Sequence, residues 1–279
     1  MKVLVTGVSG QLGFDVMREL LARGIEAKGA SRSDFSLTDF ASMRRFVEVH
    51  RPTAIIHCAA YTAVDKAEDE PELCREVNAA ATGDFARLAK EVGAKPLYIS
   101  TDYVFPGTGE GFYEPEDEKA PCNVYGESKL LGEEAAREAL DELFIVRISW
   151  VFGENGKNFI KTMLRLAETH EELSVVGDQI GSPTYTRDLA RLLADMIVTE
   201  KYGVYHATNE GTCSWAELAA EALRCAGKKT RVKAIKTEEY PTKAKRPKNS
   251  RLSKKCLDDA GFSRLPDWRD AVARYVALI

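Results

Sequence analysis

The chain has 279 residues, 44% of them hydrophobic and 29% charged, with a formal net charge of −4. That length can bury a large core in one large domain or two unequal ones, and the composition excludes a disordered or collagen-like chain. The mild acidity argues against a general nucleic-acid binder, which needs clustered excess Lys and Arg to neutralise phosphates. No run of about 18 apolar residues is present, so no membrane span is expected.

In chain order, Lys2–Thr6 reads as a strand. The apolar run after Met1 ends at Gly7, too soon for a secretory leader. Gln11–Arg23 places Leu12, Val16 and Leu20 four apart and reads as an amphipathic helix, closed by Gly24. Ile25–Ala30 is a weaker strand, Asp39–Val49 a helix and Ala54–Ala60 a buried strand. Glu72–Val92 is helical, Pro96–Ser100 a strand, Asn123–Leu140 a helix and Leu143–Ser149 a strand. Strands alternating with helices of this length imply right-handed crossovers and a parallel sheet.

Regularity weakens after about residue 152, with helices expected at Phe159–Glu168, Arg187–Val198 and Trp215–Ala226 and a strand at Gly203–Thr208. Residues 228–255 hold twelve Lys or Arg and only two acids, and pattern alone assigns them no structure. The expectation is an α/β fold: a Rossmann-type parallel sheet with helices on both faces and a smaller C-terminal lobe. The boundary is expected near residue 152, giving 1–152 and 153–279, with parts of the second piece returning to the first.

The six cysteines, Cys58, Cys74, Cys122, Cys213, Cys225 and Cys256, are scattered without a CxxC pair. Reduced thiols in a cytoplasmic protein are expected. His50, His57, His170 and His206 form no HExxH and no cluster with cysteine, so no metal site is expected.

Three motifs carry chemistry. Gly7-Val8-Ser9-Gly10-Gln11-Leu12-Gly13 follows a strand and opens a helix. Gly7 permits a tight turn, Gly10 lets the backbone approach a pyrophosphate, and Gly13 allows close packing of helix on sheet. The second strand ends at Ala30-Ser31-Arg32-Ser33. Ser31 and Arg32 suit the 2′-phosphate of NADPH, since Arg makes charge-assisted forks with phosphate oxygens. Asp34 leaves NADH open. Tyr125 and Lys129 are four residues apart at a helix start, on one face. In a ketone reduction the tyrosine gives the proton, and a nearby ammonium favours the phenolate left behind, lowering its pKa. Thr101, at the C-terminal end of the fourth strand, lies where parallel sheets bind ligands.

Longer segments carry a resemblance: VTGVSGQLG (5–13), AAYTAVDKAE (59–68), STDYVFPG (100–107), NVYGESKLLGE (123–133), RISWVFG (147–153), NFIKTMLRLA (158–167), DQIGSPT (178–184), RPKNSRLS (246–253) and LPDW (265–268). With these the chain resembles, nearly end to end, the dTDP-4-dehydrorhamnose reductase family of extended short-chain dehydrogenases/reductases. The resemblance implies NADPH-dependent reduction of the C4 keto group of dTDP-4-dehydro-L-rhamnose, with substrate in the C-terminal lobe. By position, Gly10, Gln11 and Leu12 would touch the cofactor pyrophosphate, and Ser36 and Leu37 would lie near adenine. Ala60, Tyr61 and Thr62 would lie near the ribose and nicotinamide. Tyr125 would be the proton donor, with Lys129 on the ribose and Thr101 on the carbonyl oxygen. Asp102 would contact the sugar and Trp150 would pack on it; pattern alone favours a core role for Trp150. Arg246, in the basic stretch, would hold the substrate pyrophosphate. Some family members hold magnesium with glutamates at a dimer interface. Asp15 takes the first of those positions and the later ligands do not match. A homodimer stays open.

Two alternatives accompany this. A 4,6-dehydratase would carry a glutamate after the Thr-Asp pair, where this chain has Tyr103, whereas an epimerase is not excluded by motifs. A non-catalytic NADP-binding subunit, like the regulatory subunit of methionine adenosyltransferase, would lack the Thr62–Lys66 segment and the Ser149-Trp150 pair present here.

Overall fold

Val3 and Val5 point to one side of the first strand and Leu4 to the other, and all three are fully buried. A strand apolar on both faces belongs in the middle of a sheet covered on both sides. The computed structural model, which describes residues 1–279, places it so. Six parallel strands run in the order Gly203–His206, Phe144–Ile148, Lys95–Thr101, Ala54–His57, Lys2–Thr6, Glu26–Ala30. The chain winds one way from the first strand to the second and the other way from the third onward. The reversal lies between Lys2–Thr6 and Ala54–His57, and ligands bind open sheets at such a point.

The two faces pack separate helices. Val3, Val5, Ile56, Leu97 and Val146 meet Leu12, Val16 and Leu20 of helix Gln11–Ala22 and Leu189 and Leu193 of helix Thr186–Ile197. Leu4 and Ile55 meet Met43 and Val47 of helix Phe40–His50 and Phe85 and Leu88 of helix Ala81–Val92. Helix Val124–Ala139 packs through Ala136 and Ala139 against Tyr98 and Ile145. Beyond residue 152, helix Thr186–Ile197, strand Gly203–His206 and Leu257, Phe262 and Leu265 thus complete the main sheet layers.

Most of the other elements beyond residue 152 build a second core. Phe152, Ile160, Tyr185, Leu218, Trp268 and Tyr275 cluster together, and Met163, Leu173, Ala219 and Leu223 extend the packing. Within the basic stretch, Arg231–Ile235 pairs in parallel with Glu172–Val176. Glu172–Val176 alternates exposed with buried positions over four residues, whereas Arg231–Ile235 exposes Arg231, Lys233 and Ala234, a signal too short and irregular to read from pattern.

Two expected elements differ. Glu72–Val92 is helical throughout, as expected, but not uniformly α-helical: Pro71–Arg75 is α-helical, Glu76–Ala80 is a π-helical turn and α-helix resumes at Ala81. The strand expected over Ala54–Ala60 stops at His57, because Ala59 turns in against Gly7 instead of continuing the ladder.

Candidate active site

The glycine loop is shaped by close approaches. Gly7 has φ +70°, and a Cβ there would lie 2.8 Å from the Ala59 nitrogen. The Gly10 amide donates to the Gly7 carbonyl at 2.9 Å, closing the turn. A Cβ on Gly13 would collide with that same carbonyl. Helix Gln11–Ala22 then begins with no side-chain cap and no acid in its first turn. Its free N–H groups and positive dipole end therefore suit a phosphate. Below the loop, Thr6 Oγ1 accepts from the Ala59 amide at 3.1 Å and lies 2.8 Å from His57 Nδ1. Burial pushes His57 down to about 3, so it stays neutral and structural.

At the far end of the second strand the Asp34 carboxylate is already engaged. Its Oδ2 accepts from the Ser31 amide at 2.8 Å and the Ser31 hydroxyl at 2.9 Å. Arg32 is exposed and has no ion-pair partner. An anion arriving here meets an unpaired guanidinium, with the acid tied into its own turn.

The end that carries Tyr125 and Lys129 is organised by helix Val124–Ala139. The Asn123 side chain caps it, accepting from the Gly126 amide at 2.8 Å. Asn123 Nδ2 also donates to the Lys245 carbonyl at 2.8 Å, drawing the basic stretch onto the helix start. Gly126 lies against the Tyr103 carbonyl where a Cβ would clash, and this brings Tyr125 beside Tyr103, ring edge to face, with centroids 5.6 Å apart. Lys129 is buried; its Nζ donates to the Ile99 carbonyl at 2.7 Å and sits 4.1 Å from the Tyr98 ring centre. Burial draws the Lys129 ammonium down to about 7, with Glu133 opposing.

Tyr125 departs from the expectation that lysine lowers its phenol. Burial pushes the Tyr125 phenol well up; the Thr101 hydroxyl offsets this in part, and Asp102 and Tyr103 add to it. Desolvation disfavours the phenolate, and Lys129 reaches toward Ile99 instead of the phenol. A proton donor is required to start protonated, and this environment keeps it so.

Thr101 Oγ1 donates to Asp102 Oδ1 at 3.0 Å. Asp102 is buried, its Oδ2 has no hydrogen-bond partner, and burial raises its carboxyl to about 6. An orphaned buried carboxylate oxygen is costly and points to a ligand hydroxyl.

One cavity of about 1170 Å³ joins these parts. Gly7, Gly10, Gln11, Leu12, Ser31, Arg32, Ser36, Leu37, Ala60, Tyr61 and Thr62 line it, with Thr101, Asp102, Tyr125, Lys129, Trp150 and Arg246. Trp150 is half-buried in a left-handed backbone, φ +50°, which an aromatic residue holds only when its surroundings impose it. Arg246 is ion-paired with Asp65 at 2.5 Å and donates to the Tyr103 hydroxyl at 3.4 Å.

Several residues in or beside the cavity escaped the motif reading. Asn155 Nδ2 donates to the Ser9 carbonyl at 2.9 Å, and Asn158 Nδ2 to Gln11 Oε1 at 3.0 Å, so this loop closes over the glycine turn. Asn158 also caps helix Phe159–Leu166, and that cap was the one available signal. Asp65, Tyr103 and Trp215 reach the site only through tertiary folding.

Asp15 does not offer a cation site. Thr186 donates to its carboxylate, Arg18 pairs with it at 2.7 Å, and the small cavity beside it also presents Arg187 and Arg191. No group of three or more His, Cys, Asp or Glu is placed to hold a metal ion.

Comparison with known proteins agrees with this geometry. The family model described as the RmlD substrate binding domain matches residues 1–279. The chain belongs to the RmlD family. Its RmlD-family relatives include the dTDP-4-dehydrorhamnose reductase of Escherichia coli K12, 41% identical over 98% of this chain and 96% of that protein. The spore coat polysaccharide biosynthesis protein SpsK of Bacillus subtilis is 40% identical over 99% of this chain and 96% of its own length. The crystal structure of dTDP-4-dehydrorhamnose reductase from Bacillus anthracis, in complex with NADP, superposes with a TM-score of 0.97 at 41% identity. It covers 100% of this chain and 99% of that one. The RmlD family therefore accounts for the entire chain, both lobes included.

Proposed function

We propose that this protein reduces the C4 keto group of dTDP-4-dehydro-L-rhamnose with NADPH, giving dTDP-L-rhamnose. The observation that carries this is the single cavity. It presents an uncapped helix N-terminus and an unpaired Arg32 at one end, and Tyr125, Thr101 and Lys129 at the other. Relatives near 40% identity that bear the reductase name, one solved with NADP, support it. Residues 1–152 supply the cofactor end and, through Thr101, Asp102 and Trp150, much of the substrate end; 153–279 add Trp215 and Arg246 there and return Thr186–Ile197 and Gly203–His206 to the sheet layers. The unpaired state of all six cysteines fits a reducing compartment such as the cytoplasm.

The residues present fit NADPH: Gly10, Gln11 and Leu12 would hold its pyrophosphate, Ser31 and Arg32 its 2′-phosphate, Ser36 and Leu37 its adenine. Ala60, Tyr61, Thr62 and Lys129 would hold its nicotinamide side. When bound, the reduced nicotinamide supplies a hydride to C4 of the sugar. Tyr125 gives its phenolic proton to O4 as negative charge gathers there, and the Thr101 hydroxyl holds the same oxygen. The Lys129 ammonium stabilises the phenolate that remains. Asp102 Oδ2 accepts a sugar hydroxyl, Trp150 covers the apolar ring face, and Arg246 faces the pyrophosphate. Tyr103 stands where a dehydratase would need a carboxylate, so abstraction of a sugar proton has no base there.

The test is a loss of reduced-nicotinamide absorbance when the protein is mixed with NADPH and freshly generated dTDP-4-dehydro-L-rhamnose. Equimolar dTDP-L-rhamnose is the expected product. Binding of NADPH without turnover would replace this reading with that of a binding subunit.

A further inference from the structure

Trp150 does not hold its left-handed backbone alone. Its ring stacks on that of Trp215, with centroids 3.9 Å apart and planes within 16°. Gly181 adds a second constraint: a Cβ there would lie 2.9 Å from the Trp150 six-membered ring. The Trp150 carbonyl accepts from the Thr184 amide at 3.2 Å. Trp215 is itself fixed. It is the first residue of helix Trp215–Cys225, which opens with a reciprocal Ser214–Glu217 cap, and its ring packs on Phe159 at 4.7 Å. Both indoles are half-buried and both line the cavity.

We propose that Trp215 is a positioning residue that clamps Trp150 in its left-handed conformation and thereby sets the fit of the keto-sugar. The inference rests on the reductase reading. With Trp215 stacked on its ring and Gly181 close against the Cε2–Cζ2 edge, Trp150 has one resting place. Without Trp215, the indole gains rotamers and the backbone can relax toward an ordinary φ. The sugar would then have to order Trp150 as it binds, and its affinity would fall. None of the residues proposed to hold the cofactor belongs to the stack or is Gly181, so NADPH affinity should not change.

The experiment compares Trp215→Leu, Trp215→Phe and wild type by steady-state kinetics, NADPH titration and near-ultraviolet circular dichroism. Two indoles stacked this closely give an exciton-coupled band, which Trp215→Leu should abolish. In Trp215→Leu the KM for the keto-sugar should rise roughly three- to tenfold, the worth of one aromatic stack. The Kd for NADPH should stay within about twofold, a change worth less than one ordinary hydrogen bond. Trp215→Phe should recover most of the sugar KM, because it keeps a stacking face. An unchanged sugar KM with the exciton band gone overturns the proposal. So does a parallel loss in sugar KM and NADPH Kd, which would mark Trp215 as merely structural. Wild-type protein that fails to reduce the keto-sugar overturns the reductase reading, and this inference with it. An active wild type with an indifferent Trp215→Leu overturns the inference alone.

Discussion

The Lys129 ammonium donates to the Ile99 carbonyl at 2.7 Å, one strand residue before the Ser100-Thr101 pair. This bond locks helix Val124–Ala139 to the sheet end that carries Ser100 and Thr101. It also buries a cation. The folded pKa, about 7, lies below the ordinary 10.5, with burial the main cause. The unfolded chain therefore binds this proton more readily. The penalty is full below pH 7 and disappears as pH rises toward 10.5. Lys129→Met should raise the Tm of the cofactor-free protein at pH 6. The gain is about 2–4 kcal/mol once the lost hydrogen bond is deducted, and it should shrink at alkaline pH. Turnover should fall further than in Tyr125→Phe. Denaturation curves at two pH values beside kinetics check both halves; a destabilised variant at pH 6 would contradict the assignment.

Asp102 gives the opposite case among acids. Its folded pKa, about 6, lies above the ordinary 3.8, chiefly through burial. The stability cost appears as pH rises through this interval and is complete above pH 6. Asp102→Asn should stabilise the fold by about 2–3 kcal/mol at pH 8 and by nothing near pH 4. It should also weaken sugar binding. Urea denaturation across pH measures the first effect, and equal gains at both pH values would refute the cause.

Under the proposed function, Arg32 decides cofactor choice. Its guanidinium is unpaired while Asp34 is held by Ser31. Arg32→Ala should weaken NADPH about ten- to a hundredfold, the worth of one charge-assisted hydrogen bond, and spare NADH. Fluorescence titration with both cofactors checks this; equal losses would reject the 2′-phosphate role.

The sequence was most informative where a motif and the main sheet coincide. The glycine loop, Thr101 and the Tyr125–Lys129 pair sit at the ends of strands whose apolar runs announce them, and all reach one cavity. The π-helical turn at Glu76–Ala80 was not legible, because it follows from Asn78 bonding both the Tyr61 backbone and Ser128. The buried Arg147–Glu133 pair was hidden for a similar reason. Arg147 sits inside an apolar strand, and only the helix packed on it supplies the partner, at 2.6 Å. Trp150 looked like a core aromatic because neither a positive φ nor the distant Trp215 leaves a mark in local pattern.

Arg246 binds Asp65 and Tyr103, so part of its charge is already spent within the protein. Arg246→Ala should raise the KM for the sugar nucleotide about tenfold, the low end of a charged hydrogen bond. Cofactor affinity should not change. Initial-rate kinetics with each substrate varied in turn provide the check, and an unchanged sugar KM would remove Arg246 from the substrate site.

The central claim is that Tyr125 donates the proton to the sugar oxygen, and Tyr125→Phe tests it most directly. The substitution removes the acid and little volume, so folding and NADPH affinity should persist while kcat falls by about 10²–10⁴, the usual worth of general acid catalysis. Tyr125→Phe that reduces dTDP-4-dehydro-L-rhamnose at the wild-type rate, with NADPH bound as before, would contradict the assignment.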